Sequence, residues 1–422
     1  MNRDGPGDRS GDPAATPGAL STLAGVRVYL RTFGCTYNAG DSWKLAEILR
    51  AQGCNLVSDP ALADAIVLNT CTVVGKTERK VLRELRRHAQ RPLYVTGCMP
   101  LVQEEAIGAV CSPVTIHPRE IHDAYAKVGS VPHGPVGVVQ ACRGCLGSCT
   151  YCITRLARGP LESRSLRDVT RETARLVGAG AVEVRLTGQD LGAWGRDTGQ
   201  SLADLLRSLA ALSGRFMVRP GMMNPATLYP VMDSIAEAFT LPKVFSSLHL
   251  PVQSGSGTIL GKMGRGYSPD QVVSIVERFE RAAPGFLLTT DVICGFPGET
   301  GGDFSKTLAL LRRIRPDRVN VTRYSPRPGT PASLEKDMPD RIKKERSRRL
   351  RTLAEEIARE KNAEWKGRVI PVMITERIRP GSSMGRTREY RGVVLEGDLC
   401  PGTVLPVRLV EDRTYYFTGE PA

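Results

Sequence analysis

Four of the chain's 11 cysteines lie within one short stretch, ACRGCLGSCTYC, which ends at Cys152. Cys145, Cys149 and Cys152 follow the pattern CxxxCxxC, and Cys142 precedes them. Three thiolates on one loop suit three irons of a [4Fe–4S] cluster, which usually has four cysteine ligands. The missing fourth ligand would leave one iron open to another molecule. We therefore predict a [4Fe–4S] cluster on Cys145, Cys149 and Cys152, with Cys142 packed beside the loop.

Zinc is the main alternative at this loop, because Cys142/Cys145 and Cys149/Cys152 also form two CxxC pairs. Zinc ribbons separate such pairs by roughly 15–20 residues, whereas only three residues intervene here. A ferredoxin-like run is a further alternative, but it places its gaps in a different order. The spacing favours the open-iron cluster over both.

Three more cysteines each follow a predicted strand: Cys35 in FGCTYN, Cys71 in NTCTV and Cys98 in TGCMP. In a parallel sheet the C-terminal ends of the strands share one edge, where ligands bind. We therefore predict that these cysteines converge, although 36 and 27 positions separate them, and hold a second cluster with an open iron. The alternative is three unrelated buried thiols, because free cysteine is common in protein cores. The other cysteines are interpreted as structural: Cys54, Cys111, Cys294 and Cys400.

The cysteine loop resembles that of the radical S-adenosylmethionine (SAM) enzymes, and two later turns agree with this. Residues 293–299, ICGFPGE, are similar to the family's IxGxxE signature along the adenine of SAM, and residues 187–190, TGQD, follow the second barrel strand, where the family contacts the SAM amino group. The resemblance implies that the open iron chelates SAM and that one electron cleaves it to methionine and a 5′-deoxyadenosyl radical. It assigns SAM binding to Gly188, Gln189, Gly295 and Glu299.

The order of motifs is similar to that of the methylthiotransferases over about residues 25–420, since HLPVQSGS and GFPGET follow the cysteine motifs. This resemblance implies two [4Fe–4S] clusters and two uses of SAM. In it, one SAM methylates a sulfur on the auxiliary cluster of Cys35, Cys71 and Cys98, and the other generates the radical. The C-terminal stretch GRTREYRGVVLEG resembles the TRAM RNA-binding domain. Three side chains are expected at the mouth of the active site: Arg155, Arg158 and Gln253.

Methylthiotransferases act on tRNA or on a ribosomal protein. The stretches FGCTYNAGDS and RPGMMNPATLYP resemble the subgroup that modifies N6-threonylcarbamoyladenosine next to the tRNA anticodon. The resemblance implies insertion of a methylthio group at C2 of that base, and it implies an electron donor and a sulfur source that the sequence does not identify. Alternative substrates are isopentenyladenosine in tRNA and a ribosomal protein. A non-catalytic iron–sulfur or zinc RNA-binding protein is the alternative of another class.

The net charge of +14, from 58 basic and 44 acidic residues, agrees with a polyanionic partner such as tRNA. No apolar run reaches the ~18 residues that span a bilayer, and the first residues lack the apolar segment of a signal peptide. We expect a cytoplasmic protein with no membrane partner. In that reducing compartment, cysteines bind metals or do redox chemistry more often than they form disulfides.

Alternating elements must position these residues. Strand-like runs at 26–30, 66–69 and 93–96 alternate with helical patterns at 41–52 and 78–90, which predicts an N-terminal parallel-sheet α/β domain. Six further strands, separated by helices, predict a central partial (β/α)6 barrel of TIM-like build, with its active site at the strand C-termini. These six strands are predicted at 136–140, 182–186, 216–218, 245–250, 287–293 and 318–322.

The C-terminal part begins after a charged helix predicted over 340–366. Short strand-like runs at 369–375, 390–395, 404–409 and 415–418 predict a small antiparallel β-barrel. The fold class is therefore α/β with a TRAM-like barrel. The predicted division is a disordered tail (1–24), an N-terminal domain (25–133), a radical SAM core (134–363) and a TRAM-like domain (364–422), with the Gly- and Pro-rich stretch VGSVPHGPVG as a linker.

Overall fold

The computed structural model describes residues 18–128 and 134–422. Most of the predicted tail and the middle of the predicted linker therefore lie outside the described residues. Residues 18–24, which the sequence assigned to the tail, are packed onto the first domain. Leu20 and Leu23 are buried around a short 3-10 helix, Ser21–Leu23, and the Leu20 amide donates to Glu120 Oε1 at 2.9 Å.

The first domain is the predicted parallel sheet with helices. Its elements in chain order are β1 (Arg27–Thr32), α1 (Thr36–Ala51), β2 (Asn55–Leu56), β3 (Ala65–Thr70), α2 (Gly75–His88), β4 (Leu93–Gly97), α3 (Glu104–Gly108), β5 (Val114–Thr115) and α4 (Pro118–Tyr125). The strand order is β2-β1-β3-β4-β5, and every pairing is parallel. The central strand β3 is buried along its whole length, as expected of a sheet covered on both faces.

Helix α1 begins five residues before the start that the sequence predicted, immediately after Cys35. Its first turns carry Asn38, Gly40 and Asp41, which lack an apolar pattern and therefore hid the true start. These residues are nevertheless buried, because Asn38 donates to the Thr70 carbonyl at the end of β3, and Gly40 and Asp41 pack against Gln140 of the following domain.

The second domain carries the six predicted strands. Its strands are β6 (Val136–Gln140), the short antiparallel pair β7 (Cys142–Arg143) and β8 (Glu162–Ser163), β9 (Glu183–Thr187), β10 (Met217–Pro220), β11 (Ser247–His249), β12 (Leu287–Cys294) and β13 (Arg318–Arg323). They form two parallel sheets, β10-β9-β6 and β11-β12-β13. Parallel bridges from Val218 to Val244 and from Met222 to His249 join them. The predicted partial (β/α)6 barrel is confirmed.

Helices follow the barrel strands in sequence: α5 (Ile153–Arg158), α6 (Leu166–Gly178), α7 (Leu202–Ala210), α8 (Pro225–Leu228), α9 (Met232–Ala238), α10 (Gly257–Lys262), α11 (Pro269–Ala282), α12 (Gly301–Ile314) and α13 (Asp340–Ala363). Several of these helices begin with a serine cap. Ser165 caps α6, and Ser268 with Gln271 forms a complete capping box on α11, which satisfies amides that the first helical turn leaves unpaired.

The third domain is a closed barrel of five strands: β14 (Val369–Arg379), β15 (Ser382–Arg386), β16 (Gly392–Glu396), β17 (Val404–Asp412) and β18 (Tyr416–Pro421). Their order is β14-β15-β16-β18-β17. The sequence predicted four strands and missed β15, because its sequence SSMGR lacks the β-branched and aromatic residues typical of strands.

Among the described residues, no helix combines the length and the apolar composition that crossing a membrane requires.

Candidate active site

The cysteine loop connects β7 to α5 at the C-terminal side of the first barrel strand. Cys145, Cys149 and Cys152 are all partly exposed. Burial and the nearby Cys149 and Cys152 raise the pKa of Cys145, and burial and Cys149 raise the pKa of Cys152, so the three sulfurs lie close together. We call them the loop trio. The loop is tight at Gly144, which has φ +73°, and a Cβ there would lie 1.7 Å from the carbonyl oxygen of Pro160. Only glycine fits that position.

Two N–H groups donate to sulfur atoms of the loop trio. The backbone amide of Gly147 lies 3.2 Å from Cys145 Sγ, and Arg265 Nη1 lies 3.2 Å from Cys149 Sγ. Arg265 is buried and fixed in place, since its other nitrogens donate to Asn224 Oδ1, Tyr267 and the carbonyl of Pro251. Hydrogen bonds of this kind stabilise the thiolate form that binds iron.

Cys142 is separate from the loop trio. It is 1% exposed, and its thiol donates to the carbonyl of Asp190 at 3.8 Å. A Cβ on Gly188 would lie 2.4 Å from Cys142 Sγ, so the turn that contains Gly188 packs directly against this sulfur. Burial raises the pKa of the Cys142 thiol. These contacts support a packing role for Cys142.

The turn after β9 supports the cysteine loop from below. Gln189 Oε1 accepts a hydrogen bond from the Gly144 amide at 2.7 Å. The neighbouring Asp190 is 1% exposed and accepts from the Asn224 amide at 2.9 Å and from Thr227 Oγ1 at 2.8 Å. The side chain of Gln189 is therefore hydrogen-bonded to the cysteine loop, and the turn positions that loop at the end of the barrel.

The turn after β12 is closed by its own glutamate. Glu299 Oε2 accepts from the Gly295 amide at 2.8 Å and pairs with Arg346 of α13. Gly295 has φ +73°, and a Cβ there would lie 2.3 Å from Lys343. Cys294 is 1% exposed, and its thiol donates to the Lys343 carbonyl at 3.9 Å. Glu299 thus holds the shape of the glycine turn, and Cys294 packs under α13.

Cys35, Cys71 and Cys98, here called the auxiliary trio, are brought together by the first sheet. Cys35 precedes α1, Cys71 follows β3 and Cys98 follows β4. Burial, together with the nearby Cys98 and Cys35, raises the pKa of Cys71 to about 11. The three cysteines that are distant in sequence therefore share one edge of the sheet, as the strand-end argument predicted.

A residue from the second domain completes the surroundings of the auxiliary trio. Arg158, the last residue of α5, donates from Nε to Cys98 Sγ at 3.4 Å. Its Nη2 donates to Asn38 Oδ1 at 3.0 Å and to Asp41 Oδ2 at 2.9 Å, and its guanidinium stacks on Tyr37 at 4.8 Å. The sequence placed Arg158 at the mouth of the active site, but it is 3% exposed and lies between the two trios.

The donor sets of both trios fit iron–sulfur clusters. Each consists of three cysteines, as the open-iron arrangement requires, and each has a buried arginine that donates to one sulfur. Among the described residues, no three His, Cys, Asp or Glu side chains converge where one metal ion would bind. In a four-iron cluster each cysteine binds a different iron, so its sulfurs need not converge on one point.

Curated proteins from several lineages are similar to this chain over most of its length. A probable threonylcarbamoyladenosine tRNA methylthiotransferase of Archaeoglobus fulgidus is 35% identical, covering 94% of this chain and 98% of its own. A threonylcarbamoyladenosine tRNA methylthiotransferase of Drosophila melanogaster is 31% identical, covering 93% of this chain and 77% of its own. The chain belongs to the radical SAM tRNA methylthiotransferase family. A tRNA-2-methylthio-N6-dimethylallyladenosine synthase of Aquifex aeolicus is also 31% identical, over 93% of this chain.

Family models match all three parts of this methylthiotransferase. They are Uncharacterized protein family UPF0004 over residues 27–116, the Radical SAM superfamily over 139–311 and the TRAM domain over 364–422. A solved radical SAM methyltransferase, TsrM from Kitasatospora setae with cobalamin and a [4Fe-4S] cluster bound, has the same fold over 73% of this chain and 77% of its own, with a TM-score of 0.51 and 14% identity. The enzyme uses SAM and iron–sulfur chemistry, and its substrate is tRNA.

The sequence missed Arg265 and the inter-domain contacts of Arg158. Arg265 lies 113 positions after Cys152, so no local pattern connects it to the loop trio. Gln253, predicted near the mouth of the active site, has a left-handed backbone with φ 61° and a buried Oε1 that no hydrogen bond satisfies. A residue other than glycine at positive φ occupies a constrained position. The stretch HLPVQSGS was the only feature of the sequence that pointed to Gln253.

Proposed function

We propose that this methylthiotransferase inserts a methylthio group at C2 of N6-threonylcarbamoyladenosine, next to the anticodon of tRNA. The observation that carries this proposal is the pair of cysteine trios. One lies on a barrel loop and one on the edge of the first sheet, and each has a buried arginine. Two clusters and two uses of SAM agree with that pair. The relatives of Archaeoglobus and Drosophila, which carry the threonylcarbamoyladenosine name, support the choice of base.

In this proposal Cys145, Cys149 and Cys152 hold the radical SAM cluster, and the auxiliary trio holds the second cluster. When bound, the first supplies the electron that cleaves SAM, and the second carries the sulfur that is transferred. Because C2 of adenine is an unactivated C–H carbon, acid–base catalysis has no practical means of attacking it. The task of the protein is then to bind, to orient and to exclude water.

Side chains and a backbone amide of the chain perform this task. Arg265 and the Gly147 amide donate to Cys149 and Cys145 and stabilise their thiolates. Arg158 donates to Cys98 and supplies a fixed positive charge between the two trios. We propose that Gly188, Gln189, Gly295 and Glu299 form the walls of the SAM site. In this role Gln189 and Glu299 act through the turns that they hold in shape.

The proposed division of labour follows the predicted domains. The N-terminal domain, 25–133, would hold the auxiliary cluster, the core, 134–363, would cleave SAM, and the TRAM-like domain, 364–422, would bind tRNA through contacts to phosphate, which position the RNA without reading its sequence. An external electron donor and a source of sulfur are needed in addition.

The test is a reaction of the anaerobically reconstituted full chain with SAM, a chemical reductant, sulfide and purified tRNA, followed by mass spectrometry of the nucleosides. We expect about eight irons per chain, four for each cluster, and a methylthio product on threonylcarbamoyladenosine. tRNA that carries isopentenyladenosine is the matched alternative substrate, since the Aquifex relative carries the dimethylallyl name. Product on that tRNA alone would contradict the proposed base, and stoichiometric zinc with almost no iron would contradict both clusters.

A further inference from the structure

The interior of the partial barrel carries a layer of arginines. On β9 and β10, Val184, Leu186 and Val218 pack into the core beneath the helices. Because side chains of a strand alternate between its two faces, the intervening Arg185 and Arg219 face the lumen. They are direct neighbours in the register of the two strands. Two guanidinium groups therefore project side by side into the barrel.

Two more arginines reach the same place from other elements. Arg318 begins β13 on the opposite wall, where its neighbour Val319 belongs to the core. Arg386 comes from β15 of the C-terminal barrel. The guanidinium carbon of Arg386 lies 4.6 Å from the centre of the Tyr390 ring, and that of Arg219 lies 5.3 Å from it. Tyr390 thus closes the lower end of the lumen, and the guanidinium groups of Arg386 and Arg219 both contact its ring.

The acidic side chains near this layer pair with only two of its four arginines: Glu376 lies 4.0 Å from Arg386, and Glu183 pairs with Arg185. Glu183 accepts from Arg185 at 2.6 Å and from the Tyr390 hydroxyl at 2.6 Å. Among the described residues, neither Arg219 nor Arg318 forms an ion pair, although Arg318 Nη2 donates to the Tyr415 carbonyl at 2.5 Å. Arg219 Nε is buried without a hydrogen-bond partner. Partly buried cations without a counter-charge are costly, and an anion bound between them would offset that cost.

Burial and the nearby charges of Arg386 and Arg219 lower the pKa of Arg318. This direction agrees with an excess of positive charge in the lumen.

The arginine layer is connected to the catalytic rim through the same lumen. His249 Nε2 lies 2.8 Å from Asp291 Oδ2, and Asn320 donates to Asp291 Oδ1 at 2.7 Å. Asn320 is two residues nearer than Arg318 to the C-terminal end of β13. Arg219 is one residue before the C-terminal end of β10, and Arg318 is level in the register, through Thr289, with His249 at the end of β11. A group on a base held at the rim can reach that level.

We propose that Arg219 and Arg318 form a carboxylate subsite that binds the threonyl carboxylate of the modified adenosine. This inference rests on the proposed function, because that base is threonylcarbamoyladenosine. The carboxylate stands several bonds from C2, at the far end of the N6 substituent. Guanidinium groups match carboxylate geometry and are the preferred partners of buried anions. An isopentenyl group has no charge and would leave both arginines without an anionic partner, so the subsite selects against it.

The test measures binding rather than turnover, with full-length protein and two anticodon stem-loop RNAs. The RNAs are identical except that one carries threonylcarbamoyladenosine and the other adenosine. We expect the wild type to prefer the modified RNA by at least tenfold. Arg219→Gln and Arg318→Gln should each reduce that preference to within about threefold and leave the affinity for the adenosine RNA unchanged, whereas Arg219→Lys should retain part of it. The unchanged affinity for the adenosine RNA also shows that each variant is folded.

Arg207→Gln on the outer face of α7 is the matched control, since Arg207 is 49% exposed, and it should alter neither affinity. Equal loss of affinity for both RNAs in the lumen variants would identify a phosphate contact and overturn the carboxylate subsite. Retained preference in both variants would overturn it as well. The proposed function fails separately, because it is judged by the methylthio product of the wild type and not by these affinities.

Discussion

The two cysteine trios use the same chemical groups but are built in different ways. The loop trio comes from eight consecutive residues, Cys145 to Cys152, and it is held by the glycine turn at Gly144. The auxiliary trio comes from three separate strand ends, and its geometry depends on the first sheet and on Arg158 from the second domain. A local site can therefore be damaged one residue at a time, whereas a site assembled over long range depends on the packing of whole elements.

The two trios also differ in the solvent exposure of their cysteines. All three cysteines of the loop trio are partly exposed, whereas Cys71 and Cys98 are 6% and 4% exposed. A partly open cluster site can admit SAM. In the proposed function, the deeper auxiliary site would shield the transferred sulfur from solvent; Cys35 is its exposed member.

The largest expected effect comes from the loop trio. Cys149→Ala should abolish cleavage of SAM, because it removes one of three iron ligands and the acceptor of Arg265. The measurement is 5′-deoxyadenosine by chromatography, together with iron content. About four irons should remain on the auxiliary trio. Loss of all iron would show that the two sites are not independent.

Cys71→Ala tests the auxiliary trio. It should remove the auxiliary cluster and all methylthio product while SAM cleavage continues, because the loop trio and its arginine are intact. The same two assays, with mass spectrometry of the tRNA nucleosides, measure this. Full methylthio activity in this variant would contradict the assignment of the auxiliary trio.

Substitutions at two glycines test how strongly each trio depends on the backbone conformation. Gly34 has φ +115°, and a Cβ there would lie 2.8 Å from Cys71 Cβ. Gly147 has an ordinary φ, and its nearest contact would be Cys145 Sγ at 3.4 Å. Gly34→Ala should lower the free energy of unfolding of the first domain in the iron-free protein by about 1–3 kcal/mol.

Gly147→Ala is the control for that experiment and should change the stability of the iron-free protein by no more than about 0.5 kcal/mol. Urea unfolding followed by circular dichroism measures both variants. Equal stability of the two would mean that the auxiliary edge tolerates backbone strain and is less dependent on long-range packing than we infer.

The smallest expected effect is that of Cys142→Ala. The variant should keep about eight irons and full SAM cleavage, with a loss of about 1 kcal/mol of stability for the cavity left in the core. Iron analysis and 5′-deoxyadenosine production measure the outcome. Loss of four irons would make Cys142 a ligand and reverse the assignment within the loop.

Local patterns in the sequence explain what could be predicted. The spacing of the loop trio and the positions of the six barrel strands both reflect neighbours in the chain. The auxiliary trio could be predicted because strand ends of a parallel sheet meet at one edge. Arg158 and Arg265 could not, because their contacts depend on how distant elements pack. The domain boundaries and the individual site residues stay predictions.

The contacts of Arg158 also affect the order of folding steps during synthesis of the protein. The first domain emerges from the ribosome before the second, and domains generally fold as units in that order. Asp41 and Cys98 nevertheless meet the guanidinium only after α5 has been synthesised and docked. A newly made first domain therefore lacks the arginine that pairs with Asp41 and donates to Cys98, and its cysteine site is incomplete. In the proposed function, the auxiliary cluster would enter a finished site only once the barrel has begun to assemble, which would delay metal loading until the two domains are joined.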